Sequence, residues 1–216
     1  MSNIISLNEV KVGLNFGEKT IPVGRLASRN YKIYFEYEKV FLGLGLDISP
    51  LRLPLESGVK TFNPQLFEGL PGVFNDSLPD GWGRLLFDRL MKSRNLLPYE
   101  FSPLDRLAQV GLTGLGALVY EPDYSDEKLE ESINLDILSN QTKEVLDGEA
   151  ENVLAELVNL NGSSAGARPK ALVGLEQNKQ HIIHGKHDLP EDYEHWIVKF
   201  ANSTDGLEAG AIEYVY

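Results

Sequence analysis

A run of small residues followed by basic ones is the part of this sequence best suited to chemistry. It reads Gly162-Ser163-Ser164-Ala165-Gly166-Ala167-Arg168-Pro169-Lys170, and the later segment Trp196-Ile197-Val198-Lys199-Phe200 carries one more lysine. Because no side chain larger than a hydroxymethyl blocks the backbone of 162–167, its N–H groups can approach an anion closely. Arg168 and Lys170 add positive charge beside that loop. A lysine in a short apolar run favours a buried strand with its ammonium in a cleft, so the pattern predicts half of a phosphate-binding site.

Each part of this pattern also has a simpler explanation. Gly and Ser clusters are usually surface turns, and Lys199 could lie on an edge strand with its ammonium in solvent. His181, His184 and His187 are spaced by three, but strand residues three apart face opposite sides, so no metal site is predicted. Asp76 and Asp80 are better explained as turn and cap residues than as a general acid and base.

Composition limits the classes of function. The 216 residues are 42% hydrophobic, which is enough for one domain or two small ones. The absence of cysteine excludes disulfides and thiol catalysis. No apolar run is long enough for a membrane span and the start lacks a signal peptide, so a cytoplasmic location without membrane contact is expected. The net charge of −12 argues against direct nucleic-acid binding, and any DNA contact is expected through a partner.

The elements that must position these residues can be predicted from periodicity. Alternating patterns predict antiparallel strands at 10–12, 21–26 and 31–37. Frequent Pro and Gly predict irregular loops over 43–81, with at most another strand or two near Leu51–Leu55. Apolar spacing of three and four predicts a helix over 82–94, with Asp80 as its cap. A short helix over 103–110, ended by Gly111, and a strand over 116–120 follow.

The second half of the chain changes in composition. Between residues 121 and 156 acidic residues outnumber basic ones six to one, which predicts an acidic linker over 123–150. A helix over 151–160 then leads to the small-residue loop. Further elements are predicted as strands at 170–173, 181–183 and 195–200 and a helix from about Gly206 that carries Glu208, Ile212 and Glu213. The predicted fold class is α+β, with subdomains at 1–122 and 151–216.

Four short motifs occur in the order and spacing of a known family. They are Phe74-Asn75-Asp76-Ser77-Leu78-Pro79-Asp80-Gly81-Trp82, Gly114-Leu115-Gly116-Ala117-Leu118, Ser163 to Lys170, and Trp196 to Phe200. Over nearly its whole length the chain resembles the HipA family, the kinase toxins of bacterial type II toxin–antitoxin modules. The resemblance implies a β-rich amino-terminal subdomain followed by the start of a protein-kinase-like nucleotide lobe, with ATP and Mg²⁺ as cofactors of the full-length protein.

The resemblance also implies residue roles and partners. Ser163 corresponds to the autophosphorylated serine, with Ser164 as the alternative hydroxyl. The implied nucleotide-binding residues are Ser164, Ala165, Gly166, Ala167, Lys170 and Lys199, with Glu213 as the candidate ion-pair partner of Lys199. A phosphate on the loop would eject it and make it a self-limiting switch. Family members phosphorylate a protein such as an aminoacyl-tRNA synthetase, act in persistence, and bind a DNA-binding HipB-like antitoxin.

The sequence departs from the family in its catalytic part. No stretch resembles the motifs that supply the catalytic Asp and the Mg²⁺ ligands, so we expect no catalytic residue in this chain and no activity from it alone. The sequence ends inside a predicted helix at 211–216, which suggests a truncated chain or a split gene. Two other hypotheses remain: a binding or regulatory module that docks an antitoxin or a separately encoded kinase lobe, and an inactive remnant.

Overall fold

The computed structural model describes most of the chain and divides it into two compact units. The described residues are 6–17, 19–79, 81–125, 132–148, 154–161, 166–185, 189–201, 204–206 and 208–215. Unit 1 is formed by residues 1–78 and 97–125, and unit 2 by residues 79–96 and 126–216. Within the described ranges, no helix combines the length and the apolar content that crossing a membrane requires.

Strands and helices are mixed along the chain. In order they are β1 (Glu9–Asn15), β2 (Thr20–Arg29), β3 (Lys32–Tyr37), α1 (Lys39–Leu44), β4 (Lys60–Thr61), α2 (Gly72–Asn75), α3 (Gly81–Ser93), α4 (Pro103–Val110), β5 (Leu118–Glu121), α5 (Leu135–Asp147), α6 (Leu154–Asn161), β6 (Lys170–Glu176), β7 (Ile182–His184), β8 (Tyr193–Lys199) and α7 (Ala209–Val215). The predicted α+β class with a β-rich amino-terminal region is confirmed.

Unit 1 is built on a five-stranded antiparallel sheet in the order β4-β3-β2-β1-β5. Alternation along β3 buries Ile33, Phe35 and Tyr37, as the period of two in the sequence predicts. These side chains join one hydrophobic core with residues from α1, α2 and α4. The helical members of that core are Phe41, Phe74, Leu104, Leu107 and Val110.

In its described residues the segment from 43 to 81 is largely irregular, as predicted, and no strand lies near Leu51–Leu55. These residues form turns, although Leu53 is fully buried. The Leu53 N–H donates to the Ser49 carbonyl at 2.9 Å, and the Leu53 carbonyl accepts a bond from the Tyr37 hydroxyl at 2.7 Å. Because both polar backbone groups of Leu53 are used in this way, the segment does not pair in the sheet.

Unit 2 combines helices with a three-stranded antiparallel sheet in the order β7-β6-β8. Helix α6 contacts α3, α5 and β6, so it is the central element of this unit. Its buried residues Leu154, Leu157 and Leu160 recur at the spacing of one helix face. On the sheet, Ala171 and Val173 of β6 are also buried.

Most predicted elements of both units are confirmed, with ends shifted by a few residues. The predicted helix over 82–94 is α3, and the predicted helix over 103–110 is α4. The three predicted strands of the second half are β6, β7 and β8, and the predicted last helix is α7. Asp80, the predicted cap of α3, lies outside the described residues.

The segment 123–150, predicted to be an acidic linker, contains helix α5. The side chain of Asn134 caps its start by accepting bonds from two backbone N–H groups, and Gly148 ends it with a φ of 89°. Leu138, Thr142 and Val145 are buried on one face of α5. The domain boundaries at 122 and 150 stay predictions.

Candidate phosphate-binding site

The two lysines predicted to contact a nucleotide lie on neighbouring strands. Lys170 begins β6 and Lys199 ends β8. These strands pair antiparallel, with Lys170 directly opposite Lys199. Because residues directly opposite in such a pair project from the same face, both side chains start from one face at one end of the sheet of unit 2. The sequence predicted each lysine but not this pairing.

The backbone next to the two lysines shows how closely they approach. The Phe200 N–H donates to the Pro169 carbonyl at 2.9 Å, so Pro169 and Phe200 form a hydrogen-bonded pair between the two strands. The next pair, Lys170 and Lys199, is then of the non-hydrogen-bonded kind, in which Cα atoms are about 4.5 Å apart and side chains are closest. Two lysines so placed can both reach one anion bound at this end of the sheet.

The two lysines differ in burial. Lys170 is 7% exposed, whereas Lys199 is an exposed residue. A buried ammonium attracts an anion more strongly than a solvated one because less water screens the charge. The pair therefore combines one strongly attracting cation with one that a ligand can reach from solvent.

Gly166 brings the small-residue loop against the first of these lysines. Its φ is +114°, in the region that glycine adopts without strain. A Cβ atom at this position would lie 2.6 Å from Lys170 Nζ. The loop backbone and the Lys170 ammonium are thus in close contact, as a phosphate site formed by both would require.

The other predicted loop residues are placed as follows. Ser163, the predicted autophosphorylation site, and Ser164 and Ala165 lie outside the described residues. Ala167 is exposed next to Gly166. Glu213 lies on α7, but its side chain lies outside the described atoms, so its pairing with Lys199 stays a prediction.

Arg168 makes an ion pair that holds the end of the loop. Its Nη2 lies 2.9 Å from Asp205 Oδ1, and the Asp205 side chain is only 7% exposed. Asp205 belongs to the segment that follows β8. The arginine therefore ties the residue before Pro169 to that segment.

The start of α3 packs on the same loop, a contact that sequence reasoning missed. The Trp82 N–H donates to the Gly166 carbonyl at 3.2 Å. Gly81 has a φ of +43°, and a Cβ there would lie 2.6 Å from Gly166 O and 2.7 Å from Ala167 Cα. The Pro-Asp-Gly turn in the first motif was the available signal, but nothing in the sequence indicated which segment would contact it.

The earlier part of the same motif has a structural role in unit 1. Phe74 is fully buried in the core, and Ser77 accepts a bond of 2.6 Å from the Tyr120 hydroxyl. Burial raises the pKa of Tyr120 well above its ordinary value; the bond to Ser77 lowers it in part, and the nearby charge of Asp76 raises it further. The protonated hydroxyl is therefore held as a donor.

Of the three histidines spaced by three, His181 lies next to β7 and His184 lies at its end. His181 Nδ1 lies 2.6 Å from Glu176 Oε2, and His187 lies outside the described residues. In the part of the chain that the structure covers, no group of three or more His, Asp or Glu side chains could hold a metal ion.

Comparison with known proteins gives one family. Residues 18–121 match the family model described as the HipA N-terminal domain. The match contains β2 to β5 of unit 1 and also α3 of unit 2. No curated protein sequence matches the chain.

Proposed function

The chain belongs to the HipA family, and from this premise we propose that its unit 2 binds the phosphate groups of ATP for a serine/threonine protein kinase. One observation carries the proposal: Lys170 and Lys199 lie directly opposite each other, with Gly166 against the Lys170 ammonium. A triphosphate offers several negative oxygens, and lysines bind such groups as point charges.

The topology of unit 2 supports a nucleotide lobe. Its first strand, β6, lies between β7 and β8, and α7 follows β8 along the chain. In protein kinases the nucleotide lysine lies on the third strand and pairs with a glutamate of the following helix. Lys199 lies on β8 and Glu213 on α7, and we propose these as the corresponding elements.

The proposed role of the chain is to bind and position ATP. Lys170 and Lys199 would hold phosphate oxygens, and the loop that ends at Gly166 would supply backbone N–H donors. Phosphate transfer also needs a residue that orients the receiving hydroxyl and ligands for Mg²⁺. We therefore propose transfer to a protein such as an aminoacyl-tRNA synthetase, and autophosphorylation of Ser163, for the protein when a catalytic lobe is present.

The proposal predicts that each lysine contributes to ATP affinity. Replacing Lys170 or Lys199 by alanine should weaken ATP binding about 10- to 100-fold, because a hydrogen bond to a charged group is worth about 1.5–3 kcal/mol. Because Lys199 is exposed, the thermal midpoint of Lys199→Ala should change little. Calorimetric titration with ATP and a thermal melt of each variant would measure both effects.

A matched control is available on α5. Lys143 is an exposed lysine of the same unit, so Lys143→Ala removes the same charge away from the loop and should leave the affinity unchanged. If all three variants bind ATP equally, the lysine pair is not a phosphate site and the proposed function is wrong.

An antitoxin-docking role is a second candidate, which the toxin–antitoxin context of the family supports. One stretch of unit 1 exposes several large apolar side chains, as protein contact sites do. Their exposed fractions are 71% for Val40, 50% for Leu44, 91% for Leu51, 59% for Leu66 and 54% for Phe67. The net charge of −12 would attract a basic, DNA-binding HipB-like partner. We also propose that the protein is located in the cytoplasm.

A further inference from the structure

We propose that Gly81 and Trp82, the first two residues of α3, position Gly166 and Ala167 of the small-residue loop for phosphate binding. The inference rests on the proposed function, because it names the residues that hold the loop of the same site. Gly81 and Trp82 lie in the first motif, far from Gly166 in the sequence, yet all three belong to unit 2. The motif thus contributes to the site through its last two residues.

The first argument is steric. A Cβ at position 81 would lie 2.6 Å from Gly166 O, 2.7 Å from Ala167 Cα and 2.8 Å from Gly166 C. These are backbone atoms, which cannot turn aside as the end of a side chain can. The φ of +43° at Gly81 adds a second reason for glycine. A residue with a Cβ must therefore move either the loop or the start of α3.

The second argument concerns which of the two would move. Trp82 is 2% exposed, and Leu86 and Leu90 on the same helix are buried. Helix α3 packs against α6 along this face. Because the helix is fixed by buried apolar contacts and Ala167 is exposed, the loop is the part that should shift.

Gly166 contacts both the start of α3 and Lys170. Its carbonyl accepts the bond from the Trp82 N–H, one of the donors that the first turn of a helix leaves without a helical partner. On its other side, Gly166 lies against the Lys170 ammonium. A shift of Gly166 therefore changes its position relative to the Lys170 ammonium, and with it the geometry that the two would offer to a phosphate.

The test compares two glycines of unit 2 that both have positive φ. Gly81 touches the loop, whereas Gly148 at the end of α5 has a φ of +89° and no atom within 4 Å of its added Cβ. Gly81→Ala should weaken ATP binding at least about tenfold and leave adenosine binding unchanged, because adenosine lacks the phosphates that the loop holds. Gly148→Ala should change neither affinity by more than about twofold. Gly148→Ala controls for a Cβ at a positive φ without the contact to Gly166, and a thermal melt of each variant separates a loss of stability from a loss of affinity.

A second variant and a second measurement complete the design. Gly81→Asn adds the Cβ but tolerates a left-handed φ, so it replaces Gly81→Ala if that variant does not fold. Hydrogen exchange of the amides of 166–168, measured without nucleotide, should be faster in the Gly81 variants than in the unchanged chain and in Gly148→Ala.

The outcomes separate this inference from the function on which it rests. If the unchanged chain binds no ATP, the proposed function is wrong, and hydrogen exchange alone decides whether the start of α3 holds the loop. If the unchanged chain binds ATP and the Gly81 variants bind it equally well, the positioning role is overturned while the proposed function stands.

Discussion

The carboxylate of Asp105 accepts four hydrogen bonds in unit 1. Its donors are the Leu7 N–H at 2.7 Å, the Ser6 hydroxyl at 3.1 Å, and the N–H and hydroxyl of Ser102 at 2.8 and 2.7 Å. Asp105 is 5% exposed, so these donors replace water that the buried carboxylate has lost. One side chain therefore holds both the start of α4 and residues 6–7.

We predict that Asp105→Asn lowers the free energy of unfolding by about 1–3 kcal/mol, because the new NH₂ group faces donors and leaves one of them without an acceptor. Urea denaturation would measure the loss. Asp47→Asn is the matched control, since Asp47 is exposed and accepts one bond of 3.1 Å from the Ser49 N–H. Equal losses for the two variants would show that the buried network contributes nothing specific.

The types of the residues in the candidate site were predictable from the sequence, but the residues that they contact were not. A lysine after a small-residue loop and a lysine in an apolar run indicate affinity for phosphate wherever the two strands lie. The register that places Lys170 opposite Lys199 depends on the pairing of β6 with β8. The contact between Gly81 and Gly166 depends on the packing of α3 in unit 2. Neither is set by local sequence.

At the scale of elements, Arg89 joins two helices of unit 2. From α3 it donates a hydrogen bond to the Val145 carbonyl in the last turn of α5. The Val145 carbonyl also accepts a bond of 3.1 Å from the Gly148 N–H. The final carbonyls of a helix carry partial negative charge, so the Arg89 cation adds a second, charged donor there.

We predict that Arg89→Ala lowers the free energy of unfolding by about 1–2 kcal/mol and speeds hydrogen exchange at the end of α5. Urea denaturation and exchange of the amides of 142–148 would show this. Lys92→Ala is the control, because Lys92 is an exposed cation of the same helix. Should both variants exchange α5 at the same rate, Arg89 does not cap that helix.

Periodicity predicted the elements wherever one face is buried. The spacing of Leu86 and Leu90 gave α3, and Pro103 with Gly111 gave the ends of α4. Helix α5 was hidden by its acidic surroundings, although Asn134 is a favoured cap residue and Leu138, Thr142 and Val145 follow at helical spacing. The acidic composition of this segment predicts a linker, whereas burial of one apolar face stabilises the helix.

At the scale of the whole molecule, the family match and the two units do not share boundaries. Residues 18–121 match the HipA N-terminal domain, but residues 79–96 within that range belong to unit 2. These residues carry Gly81 and Trp82, which contact the loop at Gly166. The matched domain therefore contributes helix α3 to the unit that contains both lysines, which is how a motif of the amino-terminal half can bear on phosphate binding.

Two buried tyrosines of unit 1 predict how the stability of the protein depends on alkaline pH. Burial, together with the negative charge of Asp47, raises the pKa of Tyr37 to about 12, and burial raises the pKa of Tyr120 as well. In the unfolded chain both titrate near 10. Above that pH the unfolded chain releases protons that the folded chain retains, so the free energy of unfolding is intact below about pH 10 and falls as the pH rises toward 12.

Urea denaturation from about pH 8 to about pH 12 would measure this fall. Tyr120→Phe should make it shallower, although the variant is less stable at pH 8 because Ser77 loses its donor. Tyr31 is 101% exposed, so Tyr31→Phe removes an exposed hydroxyl without changing a buried one and should keep the slope of the unchanged chain. An identical slope in all three chains would mean that general repulsion at a net charge of −12, and not the buried hydroxyls, sets the alkaline limit. A shallower slope in Tyr120→Phe alone would assign that limit to the core of unit 1.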